Sequence, residues 1–265
     1  MEKQIIWRGL LAGAAAGVLT FIFARIFVEP VIESAIGYED GIGAAREALD
    51  GAAGGHEHGG FEGFTRGVQA NIGMGLGVLA FSLAMGALFA VVFAVTHGRV
   101  GNVSARLLSL YVAGGMLLSL YLVPALKYPP SPPALSLDET IQQRTMLHLL
   151  MVVLSGVLFV GAVYLGRQLV DRLGAWNATL AAAGAYIVAV LVVMLILPTI
   201  DETPGPLLDE AGNIAYGGFP ADVLYEFRLF SVGSQVVMWL TIALVFAPMV
   251  GRLLGESRPQ ESVSA

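Results

Sequence analysis

The chain has 265 residues, of which 56% are hydrophobic and 13% charged, with a net charge of −6 and a mean hydropathy of +0.76. That balance excludes an ordinary soluble domain. The absence of cysteine excludes disulfides, thiolate zinc sites and cysteine-held clusters, so metal chemistry would fall to His, Met, carboxylates or carbonyls.

Six stretches are apolar over the about 20 residues that a helix needs to cross ~30 Å of hydrocarbon. They lie at 9–28, 69–96, 107–126, 145–166, 175–198 and 229–250. The predicted fold class is an all-α membrane protein, with six transmembrane helices arranged as three in-out-in hairpins and long acidic outer loops. Residues 1–254 form a single domain, 29–68, 127–144 and 199–228 are its outer loops, and 255–265 form a disordered cytoplasmic tail.

The first span follows Lys3 and Arg8 but is too long for the apolar region of a secretory signal, so it reads as a retained helix. Gly9, Gly13 and Gly17 recur every four residues along it, a flat face on which another helix can pack closely. Near its outer end Arg25 precedes Glu29 by one turn, a spacing that permits an ion pair. The first outer loop begins as a surface helix through about Ala53 and loosens into "GGHEHGG" at 54–60. There His56, Glu57 and His58 offer two imidazoles and a carboxylate, a set that binds cobalt, nickel, zinc or copper weakly. Glycine on both sides is the opposite of preorganisation, which fits capture and release of an ion, or a solvated loop and no more.

The second outer loop opens on "YPPSPP", which imposes a stiff extended path, and "LDET" reads as a helix start. On the fourth span, His148 follows Arg144 by one turn and precedes Met151 by three residues. Imidazole and thioether on one face suit a borderline divalent metal; a histidine bonded to a neighbouring helix is the plainer alternative. The third outer loop, 199–228, has no core of its own and ends in "FPADVLYEFR", which reads as a short interfacial amphipathic helix carrying Phe219, Leu224, Tyr225 and Phe227. An Arg before each returning helix, a Gly-Arg pair after it and Pro30, Pro124 and Pro198 near the outer ends hint at a threefold repeat, although glycine caps and topology explain the Gly-Arg pairs alone.

Orientation follows from the basic residues. Lys3, Arg8, Arg99, Arg106, Arg167, Arg172, Arg252 and Arg258 fall on one side, mostly in short segments. Arg46, Arg66, Lys127, Arg144 and Arg228 are spread through the longer loops of the other. The first side is therefore cytoplasmic and holds both termini. Sixteen of the twenty acids then lie outside, a vestibule that concentrates cations and weakens with salt. Lys127, Arg144 and Arg228 oppose it unless paired, Arg144 with Asp138 or Glu139 and Arg228 with Asp222 or Glu226. Unpaired, they would suit an anionic chelate or organic acid. No phosphate-cradling loop, zinc-protease helix or nucleophile elbow is present in the sequence, so an enzyme is not expected.

Over about residues 8–250 the chain resembles the CbtA family of predicted cobalt transporter subunits of prokaryotes. The resemblance rests on "RGLLAGAAAGVLTFIFARIFVEPVIESAIGYED", "HEH" with the later "TRGVQ", "LKYPPSPP", "TIQQRT", "GAWNATL" and "FPADVLYEFRLFSVGSQ". It implies a multi-pass permease subunit in a prokaryotic cell membrane, taking up cobalt(II) or a similar divalent metal for cobalamin supply. A non-conducting membrane scaffold or assembly subunit is the alternative. The implied partners are a small single-span His-rich subunit (CbtB-like) and membrane lipids, with no nucleic acid and a homo-oligomer left open. No resident cofactor is implied, since the metal is cargo. Besides His56, Glu57, His58, His148 and Met151 as metal candidates, the outer mouth and helix ends supply Glu29, Pro30, Tyr38, Glu39, Arg66, Gln69, Lys127, Tyr128, Arg144, Asn177, Pro220, Arg228 and Gln235.

Overall fold

The structure, a computed structural model, describes residues 2–50, 65–101, 103–132, 135, 138–200 and 203–256. It is 83% helical. Five helices among the described residues are long and apolar enough to cross a membrane: α1 (Glu2–Leu49), α2 (Gln69–Thr96), α3 (Ala105–Lys127), α4 (Thr140–Ile196) and α5 (Ala221–Leu253). The fourth and fifth predicted stretches both fall in α4, whose helical assignment starts at Asp138 and runs through Gly174. Its 57 residues would reach about 85 Å if straight, at 1.5 Å per residue. Gly174 breaks it, with φ 73° and ψ 162°, a region open essentially to glycine alone. The two limbs fold back on each other: Ser155 Oγ lies 2.8 Å from Tyr186 Oη, and a β-carbon on Gly166 would sit 3.1 Å from that of Ala182.

α1 does not stop at the predicted boundary near residue 28 but continues as one helix to Leu49. Pro30 lacks the N–H that would bond Ile26, and its ring crowds that carbonyl. The helix passes through it because residues Ala24–Val28 widen into a π turn, the adjustment by which an extra residue is taken into a helix. A second π turn, Leu117–Leu122, precedes Pro124 in α3. The third, Gln69–Gly73, has no proline. There the Asn71 side chain donates to Gly67 O at 2.8 Å and accepts from Arg25 Nε at 3.1 Å, so a polar side chain reaches into the helical ladder.

The chain divides into two compact units. The first comprises 1–27, 61–117 and 233–265. Its seam is the glycine face foreseen in the first span: Gly9 meets Gly86 and Ala90, and Gly13 meets Ser82, where an added β-carbon would stand 2.5 Å from the Ser82 carbonyl oxygen. Without a hydrophobic drive in lipid, such close backbone approach is what holds the helices together. Phe246 of α5 packs edge-on against Phe89 and Phe93, with ring centroids 5.0 Å apart in both pairs. The Glu256 carboxylate accepts the Ala105 N–H at the start of α3, satisfying a donor that a helix N-terminus leaves open.

The second unit comprises 28–60 and 118–232. The third loop, read as having no core of its own, packs on the far half of α1: Phe219 joins Ala35, Tyr38, Ile42 and Leu135 in a buried cluster, with Leu207 and Tyr216 packed against it. The far half of α1 supplies the apolar face, and the loop supplies a two-stranded ribbon: β1 (Leu207–Leu208) pairs antiparallel with β2 (Ile214–Tyr216). Its turn is tied by Asp209, which accepts from Asn213 N at 2.7 Å and Nδ2 at 3.1 Å; these bonds hold the Asp209 carboxyl below the usual carboxylate range. The predicted separate helix at 219–228 is instead the first turns of α5, which runs unbroken from Ala221 because no proline or turn signal interrupts it before the apolar stretch.

Candidate functional site

The second unit gathers several of the predicted residues at one place. The proline loop after α3 crosses the start of α4 and of α5, and its carbonyls anchor both arginines. Arg144 Nη2 donates to Pro129 O at 2.8 Å and to Ser131 Oγ at 2.9 Å. Arg228 Nε donates to Pro130 O at 3.4 Å. The Asp222 or Glu226 partner expected for Arg228 is not what it meets: residues two and six positions back on a helix do not share its face. The side chains of Asp138 and Glu139 lie outside the described residues. Both guanidinium groups are half-buried and line a cavity of about 50 Å³ with Tyr128, Ser131 and Thr203.

Tyr128 and Lys127 tie the same loop to the end of α4. Tyr128 donates to Pro198 O at 2.8 Å, and burial raises the pKa of its phenol, keeping it a donor. Lys127 Nζ donates to Thr199 Oγ1 at 3.2 Å. Starting at this loop, Arg144, His148, Met151 and Ser155 follow one face of α4, at helical spacings of four, three and four. His148 is half-buried beside the backbone of Tyr128, with Arg144 nearby. Met151 is fully buried in a cluster with Val123, Tyr128, Tyr186 and Val190, so its thioether faces apolar and aromatic groups. The sequence reading missed Ser155 and Tyr186; the only signal was a serine seven residues after His148 and a lone tyrosine in an aliphatic stretch.

The remaining candidates are dispersed. His56, Glu57 and His58 lie outside the described residues, as does the Arg66 side chain. Glu29 is buried and Glu39 exposed in the second unit. Asn177, also exposed, donates to Leu173 O at 3.2 Å across the Gly174 turn. That turn is the end of the α4 limbs away from Arg144. Gln69 and Gln235 belong to the first unit, exposed and half-buried respectively. Tyr38 donates to Gly217 O at 3.2 Å beside the Phe219 cluster, and Pro220 is exposed. No group of three or more His, Asp or Glu side chains able to hold a metal ion occurs among the described residues. An apolar groove of about 670 Å³ runs along the two limbs of α4 between Phe159, Tyr186 and Met194, with Arg167 at one end.

Against known proteins, residues 2–251 match the model of one family, described as "Probable cobalt transporter subunit (CbtA)". No curated protein and no solved structure matches the chain.

Proposed function

The chain belongs to the CbtA family, and from that premise we propose that it is a membrane permease subunit for uptake of cobalt(II) or a similar divalent transition metal, serving cobalamin supply. Keeping company with membrane transport rather than catalysis agrees with the family description and with the apolar helices. The family match over residues 2–251 is the observation that carries this reading.

In this reading the chain crosses a prokaryotic cell membrane six times in three hairpins, with both termini in the cytoplasm. The fold-back of α4 at Gly174 supports counting its limbs as two crossings, each long enough for ~30 Å of hydrocarbon. The acidic outer loops gather the cation, and His56, Glu57 and His58 capture it. His148 and Met151 offer the next donors inward, on the face of α4 that starts at Arg144. The word subunit implies other chains; we extend this to a small single-span His-rich partner of the CbtB type, whose histidines would complete a coordination sphere that the described residues do not themselves assemble.

One observation favours a second reading, a non-conducting scaffold: Met151 is sealed in an apolar cluster and no metal-holding group forms among the described residues. Initial rates of radioactive cobalt(II) entry into liposomes, containing this chain alone or with its partner, separate the two. The permease reading expects entry that falls several-fold in His148→Ala. Entry that requires the partner and is indifferent to His148, Met151 and Ser155 together would leave only the scaffold.

A further inference from the structure

Arg228 is in an unusual position for a charge that cannot be shed. Its guanidinium is half-buried, and arginine stays protonated in proteins. Its one hydrogen bond is the long contact with Pro130 O, and it has no other partner among the described residues. Among the described residues, the charge acting on it is that of Arg144, of like sign. Leaving N–H donors of a charged group unmet costs more than leaving neutral ones, and the repulsion adds to that. Arg144 and Thr203 have further interactions of their own, so Arg228 carries the argument.

The polar part of the lining is cationic and hydroxylic, from Arg228, Arg144, Ser131, Thr203 and Tyr128, and Pro129, Leu135 and Ile200 complete the wall, with no carboxylate among the described lining residues. The cavity of about 50 Å³ has room for one or two waters, at ~30 Å³ each, or for one small oxyanion. Planar guanidinium forks recognise oxyanions through parallel hydrogen bonds. The loop that shapes the cavity is stiffened by Pro129, Pro130 and Pro132, so the donors are held apart rather than free to collapse.

We propose that this cavity is a binding site for a small oxyanion with at least two acceptor oxygens, with Arg228 as its principal donor. The site offsets the repulsion between the two arginines and gives the protein an anion requirement of its own. The ligand is either a free tetrahedral anion or a carboxylate, including one that travels on a metal chelate. The proposal stands apart from cobalt transport, since binding needs no metal.

Equilibrium dialysis of the full-length protein in detergent, at low chloride and without metal, tests it with two probes, labelled sulfate and labelled acetate. Saturable binding of about one anion per chain is expected for one or both, and the tighter probe identifies the tetrahedral or the carboxylate class. Arg228→Gln is expected to weaken it by on the order of tenfold or more, the range for a lost charged hydrogen bond, and Arg228→Lys by less because charge survives without the fork. Where Arg228→Gln lowers the yield of folded protein, the lysine variant carries the test. Absence of saturable binding, or equal binding in wild type and both variants, overturns the proposal. So does binding seen only after Asp201→Asn with Glu202→Gln, which would mean that the chain's own carboxylate fills the site.

Discussion

Gly9 and Gly86 meet backbone to backbone: a β-carbon on either would overlap the carbonyl oxygen of the other. The contact leaves no flexible side chain to move aside, so any substitution must separate α1 from α2. Gly9→Leu or Gly86→Leu is expected to cost about 1–3 kcal/mol or more, the range for overpacking, and to lower the unfolding midpoint in detergent. Gly77, on the same helix as Gly86 but facing open space, is the control. Gly77→Ala is expected to be neutral or to gain up to about 1 kcal/mol of helix propensity.

The buried hydroxyl pair of Ser155 and Tyr186, 2.8 Å apart, predicts a non-additive pair of variants. Tyr186→Phe or Ser155→Ala alone leaves one buried hydroxyl without its partner, at about 1–3 kcal/mol. The double variant removes both groups and is expected to cost less than the sum. A double-mutant cycle measured by unfolding reads the coupling, for which membrane proteins give about 0.6 kcal/mol on average and up to about 1.7 kcal/mol.

Gly41 faces the Tyr216 ring, and a β-carbon there would overlap the phenol. Gly41→Val is therefore expected to displace the Tyr216 ring from α1 and loosen the cluster around Tyr38 and Phe219. Limited proteolysis is the readout: cleavage in the turn at 209–212 is expected to become several-fold faster than in wild type. Equal cleavage rates would mean that the ribbon is held by its own turn and not by the helix.

What the sequence made legible was local. Glycines four apart announced the α1 seam, and the apolar lengths announced long apolar helices, five of them among the described residues, because both signals are written within one turn or one stretch. The cluster of Tyr38 and Phe219 was not legible, since the two are far apart in the chain and neither carries a mark of the other. The arginine cavity was half legible. Arg144 and Arg228 stood out as charges at helix starts, but the carbonyls of Pro129 and Pro130 that they meet carry no mark in the sequence, so for Arg228 an acidic partner, Asp222 or Glu226, was expected instead. Proline read as a helix end at residue 30, and the π turn that lets α1 continue through it has no simple sequence signature.

If the acidic outer loops gather the cation, capture is the step that salt and the His56/His58 pair affect. His56→Ala with His58→Ala is expected to raise the metal concentration at half-maximal uptake several-fold and leave the maximal rate nearly unchanged, since the loop would hand on an ion rather than move it across. Raising ionic strength from about 0.01 M to 0.1 M shortens the screening length from ~30 Å to ~10 Å, and it is expected to lower uptake at limiting metal in wild type. An unchanged half-maximal concentration in the double variant would assign the loop no part in capture.

Gly174 decides whether α4 crosses once or twice, and substituting it gives opposite signs for the two cases. In a straight helix, Gly174→Ala would stabilise by up to about 1 kcal/mol, because alanine is the better helix former. At φ 73° and ψ 162° the same change forces a β-carbon into a backbone region that L side chains avoid, at a cost of order 1–3 kcal/mol. Gly161, helical and with nothing near its missing β-carbon, supplies the reference for a glycine inside a limb. Gly174→Ala is expected to lower the unfolding midpoint and Gly161→Ala to hold or raise it. A pair of variants that both stabilise would mean that the chain does not turn at residue 174, and with it the count of six crossings would fall.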